Sequence, residues 1–111
     1  MTGSNSGILQ RNPLVERTED VAMKVAMMLE LPGVSKESYE KVWEYLGTDW
    51  KLLPGNNVHV AGPLDDGWWT LDVWDSMEAF QESFDASLGP ALQKAGMPQV
   101  TPRILNVSHV I

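Results

Sequence analysis

His59 and Asp72 are the two side chains in this sequence best suited to acid–base chemistry. They fall in two alternating segments, His59-Val60-Ala61-Gly62-Pro63-Leu64 and Trp68-Trp69-Thr70-Leu71-Asp72-Val73-Trp74. Between them, Asp65-Asp66-Gly67 has the residue types of a tight hairpin turn. Side chains alternate across a pleated strand. His59, Trp68, Thr70, Asp72 and Trp74 therefore share one face, and Val58, Val60, Trp69, Leu71 and Val73 share the other. A carboxylate that accepts from one imidazole nitrogen fixes the tautomer and makes the other nitrogen more basic, which suits proton removal from an acidic carbon or a phenol. The same spacing also allows a purely structural pairing of the two side chains in a polar interface.

The other candidates are recognition groups. Trp68, Trp74 and Met28 offer flat, polarizable walls to an aromatic ligand, and Lys24, Asn106 and Ser108 are available for hydrogen bonds. The plainer reading of these residues is packing in a dimer interface, with Lys24 reaching solvent. Trp50, in a loop with Pro54 and Gly55, is either a lid or a loop anchor. Trp43 and Trp69 are read as core, and His109 as a residue at the edge of the last strand.

The positioning elements follow from periodicity. Val21, Met23, Val25, Met27, Leu29 and Leu31 form an apolar row at alternate positions, which predicts a first strand broken by Pro32-Gly33. Ser35 is placed to cap a helix whose Tyr39, Val42, Trp43 and Leu46 recur at helical spacing before Gly47. Asp75-Ser76-Met77-Glu78 reads as a capping box with Asp75 at the cap, opening a second helix that Gly89-Pro90 interrupts or bends and Gly96 ends. Arg103 to Ile111 alternates again as a final strand. The order βαββαβ predicts a ferredoxin-like α+β domain over residues 20–111, with two helices on one face of a four-stranded antiparallel sheet. Residues 1–19 are read as a flexible or partly ordered extension. The face carrying His59, Trp68 and Trp74, together with Met28, Ala26 and Ile104, is expected to be the helix-free one, closed by a second copy in a homodimer.

Composition narrows the function. Fifteen acidic against eight basic residues give a formal charge of −7 over 111 residues, which disfavours nucleic acid and anionic lipid. Without cysteine there is no thiolate nucleophile or Cys-ligated zinc, and the two histidines have no metal-site spacing. No phosphate-binding glycine loop or Gly-x-Ser-x-Gly elbow occurs. The apolar runs are too short to span a bilayer, and a cytoplasmic location is expected.

The Trp68-x-x-x-Asp72-x-Trp74 strand leading into Asp75-Ser76-x-Glu78-Ala79-Phe80 resembles the dimeric alpha-beta barrel superfamily, and within it the small antibiotic-biosynthesis-monooxygenase-like proteins. The resemblance runs from about residue 21 to 111. It implies a dimer and a cavity, and its members include cofactor-free quinone-forming oxygenases, haem-degrading enzymes, polyketide cyclases and isomerases. The Asn, Trp and His arrangement of the haem-degrading members has no counterpart here, so no haem or other cofactor is expected. The function expected on these grounds is that of a cofactor-independent monooxygenase or a cyclase/isomerase acting on an aromatic or polyketide-like molecule. The alternative is a noncatalytic dimeric module that binds a small molecule or another protein.

Overall fold

The computed structural model describes residues 23–111; the extension expected over 1–19, and Val21 of the predicted first strand, lie outside them. The chain runs β1 (Lys24–Pro32), α1 (Lys36–Leu46), β2 (Asn56–Leu64), β3 (Gly67–Trp74), α2 (Met77–Ser83), a π-helical turn (Phe84–Leu88), α3 (Gly89–Lys94) and β4 (Arg103–Val107). The strands form one antiparallel sheet in the order β2-β3-β1-β4, the expected ferredoxin-like arrangement.

Local signals account for most boundaries. Ser35 Oγ accepts from the Ser38 amide at 3.1 Å, and Gly47, at φ 68°, returns its N–H to the Trp43 carbonyl, so both ends of α1 are satisfied as the sequence predicts. The β2–β3 hairpin closes on Asp65-Asp66, and Gly67 must lack a side chain: a Cβ there would lie 2.3 Å from the Leu31 carbonyl oxygen of β1. The capping box is displaced by one residue. Ser76, not Asp75, caps α2 through Oγ and the Ala79 amide at 3.0 Å. Asp75 instead accepts from Lys24 Nζ at 2.9 Å and from Asn57 Nδ2 at 3.0 Å, tying the open ends of β1, β2 and β3 together. Gly89-Pro90 does not end the helix. Gly89 N–H bonds the Phe84 carbonyl five residues back, widening the helix by one residue before α3 continues it.

The sheet register decides which face is interior. Val25 pairs with Trp74, Met27 with Asp72, Leu29 with Thr70 and Leu31 with Trp68. Residues directly opposite one another project to the same side. Val25, Met27, Leu31, Thr70 and Trp74 are buried, with Phe80 and Leu88 of the second helical segment and Leu46 of α1 packed onto the cluster around Trp74. His59, Trp68, Asp72 and Trp74 therefore face the helices, which corrects their expected place on the helix-free side. Val58, Val60, Trp69, Leu71 and Val73 face away from the helices, joined by Met28 opposite Leu71 and Leu105 opposite Ala26. Trp69 is accordingly not part of the helix-side core; its indole lies over Gly62, where a Cβ would meet Nε1 at 3.1 Å.

Candidate functional site

Between the helices and the sheet lies a cavity of about 830 Å3, within the usual range for small-molecule sites. Its walls are mostly apolar. Met27, Leu29 and Trp74 rise from the sheet, and Phe80, Phe84 and Leu88 descend from the second helical segment. The widened turn puts Phe84 there: Gly89 passes so close that a Cβ would meet the Phe84 carbonyl at 2.9 Å and its ring at 3.0 Å.

One polar chain is set into this wall. His59 and Asp72 are cross-strand partners, and His59 Nδ1 stands 2.7 Å from Asp72 Oδ1. On the other side of the ring, Nε2 is 2.5 Å from the hydroxyl of Tyr39, which α1 projects toward the sheet. The Tyr39 and His59 rings lie within 6° of parallel, and the Trp43 ring meets the imidazole edge-on at 5.3 Å. Burial pushes the Tyr39 phenol above its ordinary value; a contact with Trp43 opposes this, and the nearby Asp72 and Glu40 carboxylates add to it. A phenol held neutral is a donor. The partners therefore assign Tyr39 O–H donating to Nε2 and Nδ1–H donating to the Asp72 carboxylate, a tautomer inferred from the network. His59 and Asp72 side chains are 18% and 16% exposed, so the pair is sheltered but reachable from the cavity.

The raised Tyr39 value has a signed consequence. Above about pH 10 the unfolded phenol ionises while the folded one does not. The contribution of Tyr39 is thus fully present below that pH and is lost as pH rises toward the folded value. The stability difference between the parent and Tyr39→Phe, measured by urea unfolding, is expected to be constant from pH 7 to 9 and to move against the parent above pH 10. A difference that stays flat through pH 11 would contradict the assigned environment.

The predicted site residues separate into two groups. His59, Asp72 and Trp74 line the cavity. Trp68 stays on the helix side but lies tilted by 34° against Tyr39 at 5.2 Å, outside the cavity lining, with its Nε1 buried and without a partner among the described residues. Trp50, 56% exposed and outside the cavity lining, sits at φ 63° and stacks on the core residue Trp43 at 5.0 Å and 20°. Lys24 belongs to the Asp75–Asn57 cluster, and Met28 is on the opposite sheet face. Asn106 is exposed on β4 beside Val25, and Ser108 and the exposed His109 lie past its end, so none of them reaches the cavity. Sequence reasoning missed Tyr39, read as an apolar stripe residue, and Asn56. Asn56 is 9% exposed and lines the cavity one same-face position along β2 from His59, because a bulge between Asn56 and Val58 shifts the register.

Among the described residues no three His, Asp or Glu side chains converge as a metal site, and no helix is long and apolar enough to cross a membrane. Solved structures of antibiotic-biosynthesis-monooxygenase-like proteins share this fold, which bears out the expected resemblance. SnoaB, a cofactor-independent oxygenase from Streptomyces nogalater, superimposes with a TM-score of 0.60 at 14% identity, covering 81% of this chain and 98% of its own. A candidate antibiotic biosynthesis monooxygenase from Chloroflexus aurantiacus J-10-fl gives 0.57 at 14% identity, over 79% and 96% of the two chains. Another from Deinococcus radiodurans gives 0.50 at 14% identity, over 80% and 96%. At these identities the likeness is one of fold. No family model and no curated protein matches the sequence.

Proposed function

We propose that this protein is a cofactor-independent enzyme, working in the cytoplasm as a homodimer, that removes a proton from an aromatic or polyketide-like substrate held in the interior cavity. The observation carrying the proposal is the Tyr39–His59–Asp72 chain in a mostly apolar cavity of about 830 Å3. A substrate proton passes to the Tyr39 oxygen as that oxygen hands its own proton to His59 Nε2, and the Asp72 carboxylate offsets the imidazolium charge. Tyrosinate need not accumulate, in keeping with the raised phenol value. The resulting carbanion gives electrons directly to dioxygen in an oxygenase or closes a ring in a cyclase. The fold shared with a cofactor-independent oxygenase favours the first course.

Anthrone is a suitable probe: its acidic methylene lies between two rings, and with one dioxygen it yields anthraquinone and water. Dioxygen uptake above the uncatalysed rate, reduced by Tyr39→Phe, is the expected result. Binding of anthrone, seen in tryptophan fluorescence, without any rate above background would favour the noncatalytic module instead. The dimer is proposed through the helix-free sheet face, where Met28, Val60 and Leu105 are 40%, 42% and 48% exposed. Light scattering across a dilution series is expected to give twice the 12.3 kDa chain mass, and Val60→Glu to give the monomer; a parent that is monomeric at all concentrations removes this part of the proposal.

A further inference from the structure

Asn56 stands in the cavity wall with its amide already committed. Nδ2 donates to the Val73 carbonyl at 2.9 Å and to the Val58 carbonyl at 3.0 Å, across the bulge where β2 and β3 change register. Both amide protons are used on carbonyl oxygens, which also fixes the orientation of the group, since a flipped amide would set oxygen against oxygen. What remains is Oδ1, an acceptor with no donor near it among the described residues, on a side chain that is 9% exposed and lines the cavity. Its surroundings are apolar and flat: Asn56 pairs across the sheet with Trp74, which meets Phe80 edge-on at 5.3 Å, and Phe80 in turn contacts Phe84 at 5.5 Å. Trp68 Nε1, not Oδ1, is the buried side-chain atom without a partner among the described residues, so Oδ1 opens onto the cavity, and a ligand that brings a donor there gains a hydrogen bond sheltered by apolar walls.

We infer that Asn56 Oδ1 is a specificity-determining acceptor that selects planar ligands carrying a hydroxyl or N–H at the end remote from the reacting atom. Asn56 and His59 are three residues apart on β2 across the bulge, and their partners Trp74 and Asp72 are two apart on β3, about 7 Å at the usual rise per residue. A ligand that reaches both groups must therefore be about two fused rings long, with its acidic position at the Tyr39–His59 end and its donor at the Trp74 end. A phenol, enol or lactam satisfies this, whereas the matching methyl ether fills the same space with nothing to donate. The inference rests on the cavity-binding half of the reading above and is independent of whether the cavity catalyses anything.

The test compares 2,6-dihydroxynaphthalene with 6-methoxy-2-naphthol by calorimetric or fluorescence titration. The parent is expected to bind the diol about 3- to 10-fold more tightly, the range of one neutral hydrogen bond. In Asn56→Ala the two affinities should become equal. Equal affinities in the parent, or a preference that survives in the variant, would overturn the assignment to Asn56 while leaving the cavity reading intact; failure of both probes to bind would overturn both. Because Asn56→Ala also removes two bonds from the bulge, a second measurement does not need the variant to fold. In the parent chain labelled with 13C at the asparagine side-chain carbonyl, the diol should shift the Asn56 resonance and the methyl ether should not, and identical shifts would reject the hydrogen bond.

Discussion

His59→Ala is expected to lower the turnover of an anthrone-type substrate by about 100- to 10,000-fold, the usual contribution of a positioned general base. The loss should fall on kcat. The cavity walls that hold the ring come from Trp74, Phe80 and Phe84, whereas the ring pairs and hydrogen bonds of the imidazole are with Tyr39, Trp43 and Asp72, so KM should change by less than about threefold. Asp72→Asn is the sharper companion. The amide oxygen still accepts from Nδ1–H and keeps the ring in place, but the negative charge facing the developing imidazolium is gone, so kcat falls while the resting geometry survives. In the double variant the two losses should not add, because one proton path has been cut twice. The decisive measurement is dioxygen uptake under saturating substrate; His59→Ala retaining more than about half the parent kcat would end the acid–base reading.

Trp74→Ala is expected to destabilise the fold by about 3–5 kcal/mol, the range for truncating a buried tryptophan or phenylalanine. Trp74 is only 2% exposed, forms a cluster with Val25, Met27 and Leu53, and meets Phe80 edge-on at 5.3 Å. It also borders the existing cavity, so the removed indole leaves a larger void beside one already present, with little around it able to collapse inward. Against a typical domain stability of about 5–15 kcal/mol this is a large fraction. Urea denaturation should show a lower midpoint with an unchanged slope, and a thermal midpoint lower by more than about 10 °C. Trp74→Phe, which keeps a ring against Phe80, should lose less than half as much. A Trp74→Ala chain within 1 kcal/mol of the parent would mean that this indole is not the keystone of the sheet–helix interface.

What could be read from the sequence was whatever is local. Ser35 and Gly47 bound α1 through their own backbone chemistry, and cross-strand parity brought His59 and Asp72 together correctly. The choice of face was not legible, because both faces of the sheet are apolar: Val25, Met27 and Leu31 on one, Met28, Val60, Leu71 and Leu105 on the other. Only the position of the helices decides between them. Tyr39 was hidden because a phenol at helical spacing with Val42 and Trp43 looks like core until the strand beneath it proves to carry an imidazole. Asn56 was hidden by the bulge. Strict alternation puts Asn57 on the face of His59, and the extra residue exchanges the two, sending Asn57 to the Lys24–Asp75 cluster and Asn56 into the cavity.

The edge-on contact of Trp43 with His59 at 5.3 Å reaches beyond packing. Imidazolium withdraws an electron from an excited indole far more readily than neutral imidazole does, so light emitted by Trp43 dims when the neighbouring ring gains a proton. With five tryptophans in the chain, that signal is the part of the emission that changes on His59→Ala, readable in the empty chain without a dye, a label or any knowledge of the substrate.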